Sequence, residues 1–173
     1  MAMLEAVAMR NWKWMAAFAL VIVAMLAGFA LADGDFVVTD GVLTGYNGAD
    51  TEIVIPNDLG ITEIGANAFA NKRNITSVTV PEGVTAIGER AFYYCSRLAT
   101  VSLPSTLTSI GKYAFYYNVM TGVELPDGLT SLGDYAFTGC YRLASASVPD
   151  TVTQMGVGVF SGDYNLEIGR AHV

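Results

Sequence analysis

The stretch Ala86-Ile87-Gly88-Glu89-Arg90-Ala91-Phe92 returns as Ser109-Ile110-Gly111-Lys112-Tyr113-Ala114-Phe115. The glycine of this motif falls at Gly65, Gly88, Gly111, Gly133 and Gly156, in steps of 23, 23, 22 and 23 residues. The aromatic residue keeps the same steps at Phe69, Phe92, Phe115, Phe137 and Phe160. A fixed period in the twenties describes one small unit stacked on copies of itself. The expected fold is a β-rich repeat solenoid of about five coils, with stacked parallel strands and short helical turns.

Phe92–Ile110 serves as the reference coil. Leu98, Val101 and Leu103 alternate as the inward side of a short strand. Pro104 ends that strand because it has no amide hydrogen for a ladder. Leu107 and Ile110 form a second inward pair. Gly111 follows where a side chain would collide, and Ala114-Phe115 drops a ring into the core. Ile75, Val78, Val80 and Pro81 occupy the same columns, as do Leu143, Ala146, Val148 and Pro149. Met120, Val123, Leu125 and Pro126 match after one deletion. The first coil has 13 residues from Pro56 to Phe69 where the next has 11 from Pro81 to Phe92, so Asn57–Gly60 is expected to bulge outward. Six buried apolar side chains per coil contribute on the order of 10–15 kcal/mol gross. Ordering each residue costs about 1–2 kcal/mol, so a single coil cannot fold and its neighbours must complete the core. Ahead of the coils, Phe36–Thr39 and Val42–Thr44 flank Asp40-Gly41, a favoured two-residue hairpin turn. Residues 33–48 are therefore expected to cap the N-terminal end as a β-hairpin, with the solenoid over 49–167.

Leu-x-x-Val-x-Leu-Pro followed by Leu-Thr-x-Ile-Gly-x-x-Ala-Phe resembles the BspA-like leucine-rich repeat. The resemblance runs from Asp35 to Glu167 and recurs in five coils. It implies a leucine-rich-repeat solenoid with a parallel sheet along one side, and adhesion or binding at a cell surface. That family shares no catalytic residues to carry over, and no motif defines its binding residues.

The two ends depart from the repeat. Arg10 and Lys13 precede an uncharged apolar stretch from Met15 to Ala32, which closes on Ala30-Leu31-Ala32. This reads as a signal peptide over 1–32, with a retained membrane anchor as the alternative. At the other end, Ile168–Val173 replaces the next strand's pattern. It resembles a translated sequencing adapter and is expected to be a non-native tail, with further coils beyond Glu167 in the natural gene.

Between Asp33 and Glu167 there are 15 acidic and 6 basic side chains, a net charge of −9. Such a surface repels phosphate backbones, which argues against a nucleic-acid partner. Membrane contact is expected only through the N-terminal segment. Cys95 and Cys140 each lie three residues after the coil phenylalanine, two coils apart. Coils about 4.8 Å apart place them roughly 10 Å from each other, beyond the about 7 Å that a disulfide spans. They read as buried apolar fillers.

The single histidine, His172, lies in the tail, which leaves no material for a histidine-based triad or a His/Cys metal cluster. No catalytic, cofactor-binding or metal-binding residues are assigned, and no cofactor is expected. Tyr93, Tyr94, Tyr116 and Tyr117 fall in two columns of adjacent coils, with Tyr113 nearby. They form the best candidate binding patch, because rigid amphipathic rings give contact area at low entropy cost. The competing reading packs one column inward beside the phenylalanines. Glu89, Lys112 and Asp134 share a column and are expected to form a cross-coil charge ladder. On the strand face, Thr79, Ser102, Glu124 and Ser147 make a polar ladder, of which Ser102 and Glu124 are further candidates for partner contact. Leu103-Pro104-Ser105-Thr106 resembles the start of a wall-anchoring signal, but Leu107 follows and it reads as a coil turn. The expected function is an exported or cell-surface scaffold that binds a protein or cell-surface ligand without catalysis. The alternatives are a spacer array for a module beyond this segment, or a structural surface-layer component.

Overall fold

Each coil carries two apolar clusters separated by a proline-bearing turn, and each cluster is long enough for a strand of two to four residues. The computed structural model describes residues 31–170. The hydrophobic segment from Met15, and the tail beyond Arg170, lie outside these residues, so the signal-peptide reading is not addressed there apart from Leu31 and Ala32. No helix among the described residues is long and apolar enough to cross a membrane.

The N-terminal strands are β1 (Leu31–Asp33), β2 (Phe36–Thr39) and β3 (Val42–Tyr46). The coils then alternate β4 (Glu52–Val54), β5 (Glu63–Ile64), β6 (Ser77–Thr79), β7 (Ala86–Ile87), β8 (Thr100–Ser102), β9 (Ser109–Ile110), β10 (Gly122–Glu124), β11 (Ser131–Leu132), β12 (Ser145–Val148), β13 (Gln154–Met155) and β14 (Glu167–Arg170). β2 and β3 pair antiparallel through Asp40 and Gly41, both left-handed at φ 51° and 77°. This is the backbone that an Asp-Gly hairpin turn requires. β3 then pairs in parallel with β5, and the sheet continues in the order β1-β2-β3-β5-β7-β9-β11-β13. The extra residues of the first coil form a 3-10 turn at Asn57–Leu59, with Asn57 and Asp58 exposed. β14 continues the strand column in register with β12, Ser145 facing Glu167 and Val148 facing Arg170. The backbone therefore keeps the ladder where the residue pattern stops.

The core is a row of phenylalanines. Phe69, Phe92, Phe115, Phe137 and Phe160 stack face to face with centroids 5.0, 5.2, 5.1 and 5.5 Å apart. Tyr46 extends the row at 5.6 Å from Phe69. The motif glycines explain how coils approach this closely. A Cβ on Gly88 would lie 2.8 Å from the Ala66 nitrogen, and one on Gly111 the same distance from the Glu89 nitrogen. The column is glycine because the preceding coil's backbone occupies the space, not because its φ is unusual.

Strand pairing on the other side of the coils corrects the expected continuous polar ladder. Instead of one sheet there are two, β4-β6-β8 and β10-β12-β14, and β8 does not bond to β10. Thr79 faces Ser102 and Glu124 faces Ser147, but Ser102 and Glu124 do not pair. The cause is the 22-residue coil: five residues separate Phe115 from Met120, where six separate Phe92 from Leu98. Ala99 and Ala144 each donate to the equivalent residue of the coil before, Thr76 and Thr121. At the short coil Val119 donates to Leu98 instead, 3.0 Å, and Thr121 has no such bond to Ala99. Val101 and Leu103, expected to be inward, are consequently only half-buried, while Val78 and Val80 are buried.

Candidate functional site

Two left-handed positions recur in every coil, two residues before and two after the phenylalanine. The first holds Asn67, Arg90, Tyr113, Tyr135 and Gly158; the second holds Asn71, Tyr94, Tyr117, Gly139 and Gly162. The backbone does the same thing whatever the side chain. Asn71 donates to Tyr93, Tyr94 to Tyr116, Tyr117 to Thr138 and Gly139 to Ser161, all at 2.7–3.0 Å. Asn and Gly occupy such positions readily, whereas a bulky L-residue there costs roughly 1–2 kcal/mol.

The tyrosines at these strained positions are not scattered. Tyr94 stacks on Tyr117 at 5.1 Å and 3°, Tyr93 on Tyr116 at 5.1 Å and 6°, and Tyr113 on Tyr135 at 5.2 Å and 9°. Tyr113 meets Tyr116 edge-on at 5.4 Å and Tyr116 meets Tyr117 at 4.7 Å, which together join the three stacks into one six-ring surface. The stacks end over glycines: a Cβ on Gly139 would strike the Tyr117 ring at 2.7 Å, and one on Gly158 the Tyr135 ring at 2.7 Å. Cations sit on the rings as well. Arg73 lies 5.8 Å from the Tyr94 centroid, Arg90 5.5 Å from Tyr113, and Lys112 5.2 Å from Tyr113. Burial, with the neighbouring hydroxyls adding, raises the Tyr116 phenol above its ordinary value.

All four tyrosines singled out in the sequence therefore come together. Neither column packs inward: Tyr93, Tyr94 and Tyr116 are half-buried and Tyr117 is exposed. Tyr135 and the three cations were missed, although the column two before phenylalanine holds Arg90, Tyr113 and Tyr135. Ser102 and Glu124 are not part of this patch. They lie on β8 and β10 beside the split, where they line a depression of about 680 Å³ with Val101, Gly122 and Ser147. The charge column is also rearranged. Lys112 meets Asp134 at 4.0 Å, but Glu89 turns to its neighbour Arg90 at 3.7 Å.

Cys95 and Cys140 are buried free thiols, donating to the carbonyls of Phe69 and Phe115 at 3.1 and 3.2 Å. Burial pushes both up to about 12, so neither is a thiolate at neutral pH. Their column continues through Asn118 and Asp163, both buried and without hydrogen-bond partners for their side chains. Burial raises the Asp163 carboxyl from 3.8 to about 7. A carboxyl with a raised folded-state value stabilises fully below its unfolded value and loses that contribution as pH rises through the folded one. Stability is expected to fall between pH 4 and pH 7 by about 2 kcal/mol more in the native chain than in Asp163→Cys, roughly half the fully buried effect. Urea unfolding of both proteins across that range measures the difference.

Among the described residues, no cluster of three or more His, Cys, Asp or Glu side chains is placed to hold a metal. The profile of the BspA type leucine rich repeat region matches residues 51–168 in six copies. No curated protein matches the chain. A leucine rich repeat protein of T. pallidum superposes with a TM-score of 0.69 at 26% identity, covering 81% of this chain and 76% of that one. A leucine-rich repeat protein of Eubacterium ventriosum gives 0.65 at 24% identity, covering 77% of this chain and 38% of the other. The pneumococcal vaccine antigen PcpA gives 0.58 at 17% identity, covering 82% and 49%. The last two likenesses are of fold.

Proposed function

Because this chain belongs to the BspA-type leucine-rich repeat family, we propose that it is a protein-interaction scaffold, exported or at the cell surface, that docks a protein partner on its tyrosine patch in adhesion and performs no catalysis. One observation carries this reading. At the left-handed column two residues after the phenylalanine the outer coils use Asn71, Gly139 and Gly162, yet the central coils carry Tyr94 and Tyr117 in the same left-handed region and with the same backbone hydrogen bonding. A residue that the backbone disfavours, held in a half-exposed cluster with five other rings, is the kind of local strain that accompanies a functional surface. Rigid tyrosines with cations beside them are also the side chains that dominate protein-binding hot spots. The apolar N-terminal stretch supports export, and the acidic surface supports a protein rather than a nucleic-acid partner.

The test is binding of the full chain to immobilised extracellular-matrix proteins. Changing Tyr93, Tyr94, Tyr116 and Tyr117 together to Ser is expected to weaken any saturable binding by at least about tenfold. Unaltered binding by that variant rules the patch out.

A further inference from the structure

The split between β8 and β10 lies on a different part of each coil from the rings and has its own chemistry. In a parallel ladder, successive residues direct their backbone groups to opposite neighbours. Thr100 donates to Thr76 and Ser102 accepts from Val80, so both face β6. Thr121 accepts from Ala144 and Leu125 donates to Ser147, so both face β12. The backbone groups of Val101 and Leu103 on one side, and of Gly122 and Glu124 on the other, therefore look across the split without pairing.

We propose that this split takes up an extended peptide segment bearing lysine or arginine, which adds as a short strand between β8 and β10. Each edge presents both amide hydrogens and carbonyls, which is the complement of another backbone and not of a simple ion. Gly122 leaves the rim without a side chain where Thr100 and Ser145 carry one. Charge selects the occupant. The depression at the split adjoins a second one of about 430 Å³ that includes Glu82, Glu124 and Asp127, and neither is lined by Lys or Arg. Ser105 donates to Glu82 from its backbone and its hydroxyl at 3.0 Å, which lowers that carboxyl's pKa and keeps it ionised. The opposite sheet is intact across the same two coils, Ser109 pairing with Ser131 and Ile110 with Leu132. A new strand needs about 4.8 Å on each side, so uptake requires β8 and β10 to part while β9 and β11 stay paired, at the expense of the adjoining bond from Val119 to Leu98.

The probe is the blocked peptide Ac-Val-Lys-Val-Lys-Val-NH2, added to the full chain and read by amide hydrogen exchange. In the free protein the amides of Val101, Leu103, Gly122 and Glu124 are expected to exchange fast, and the peptide to slow them by about tenfold or more. Glu124→Lys is expected to weaken binding about tenfold. One alanine inserted between Tyr117 and Asn118 restores the coil length, and is expected to protect the same amides without peptide and to abolish binding. Slow exchange of the four amides in the free chain overturns the proposal. So does equal binding of an N-methylated or a glutamate-bearing peptide, or protection confined to residues outside the two strands. Should the insertion variant fail to fold, Glu124→Lys and the exchange pattern still decide.

Discussion

Alanine in place of Gly133 is expected to remove a large share of the protein's stability. Its Cβ would sit 2.5 Å from the Lys112 nitrogen and 2.6 Å from the Gly111 carbonyl carbon, both backbone atoms of the coil before. No side chain can rotate away, so the two coils must move apart by about 1 Å to reach ordinary contact. That movement stretches the 2.8 Å bond from Gly133 to the Ile110 carbonyl and the 2.9 Å bond from Thr130 to Thr108. Overpacking against backbone of this kind costs about 3 kcal/mol or more, against a total of roughly 5–15 kcal/mol for a domain. Gly45→Ala is the control. Its Cβ would meet only the Val37 side chain at 3.8 Å, and the change is expected to stay within about 0.5 kcal/mol. Urea unfolding of the two variants separates a glycine required by coil spacing from one that is merely tolerated.

Phe115→Ala should cost at least as much, and more than the same change at the end of the row. Phe115 is fully buried between Phe92 at 5.2 Å and Phe137 at 5.1 Å. Removing it leaves a cavity worth about 3–5 kcal/mol and breaks two stacks worth roughly 0.5–1.5 kcal/mol each beyond burial. Phe160 is half-buried and stacks on Phe137, at 5.5 Å. Phe160→Ala is expected to cost about half as much, since a coil with one covered face loses one set of contacts. Equal losses at the two positions would show that stability is not passed from coil to coil through this row.

These effects trace to features that are plain in the sequence: the period, the glycine and phenylalanine columns, and the hairpin at Asp40-Gly41. The columns are legible because each is a local rule repeated five times, so a chance match is diluted by its copies; the hairpin is legible from its Asp-Gly turn alone. Other features are not local. The missing residue before Met120 is visible, but whether the short coil bulges, slips or opens the ladder depends on which carbonyl Val119 reaches. Glu89 shares a column with Lys112, yet the nearer guanidinium of Arg90 wins it. Asn118 and Asp163 share the cysteine column, and counting from the phenylalanine places them there; their burial without partners follows only from the packed coils. The left-handed positions are the instructive case. Asn67, Asn71, Gly139, Gly158 and Gly162 announce them, but Tyr94, Tyr113, Tyr117 and Tyr135 hide them, because tyrosine ordinarily signals the opposite backbone.

That contrast sets the most direct test of docking through the rings, and it needs no partner in hand. In Tyr94→Asn with Tyr117→Asn, each left-handed site receives the residue that Asn71 already supplies in the first coil. Relief of strain, roughly 1 kcal/mol per site, offsets the lost stack of about 1 kcal/mol. If the rings are kept for a partner, the thermal midpoint of the double variant stays within about 3 °C of the native chain. A fall of more than about 8 °C, equivalent to roughly 2–4 kcal/mol in a domain of this size, would mean that the rings hold the coils together, and the patch would lose its claim to be a binding surface.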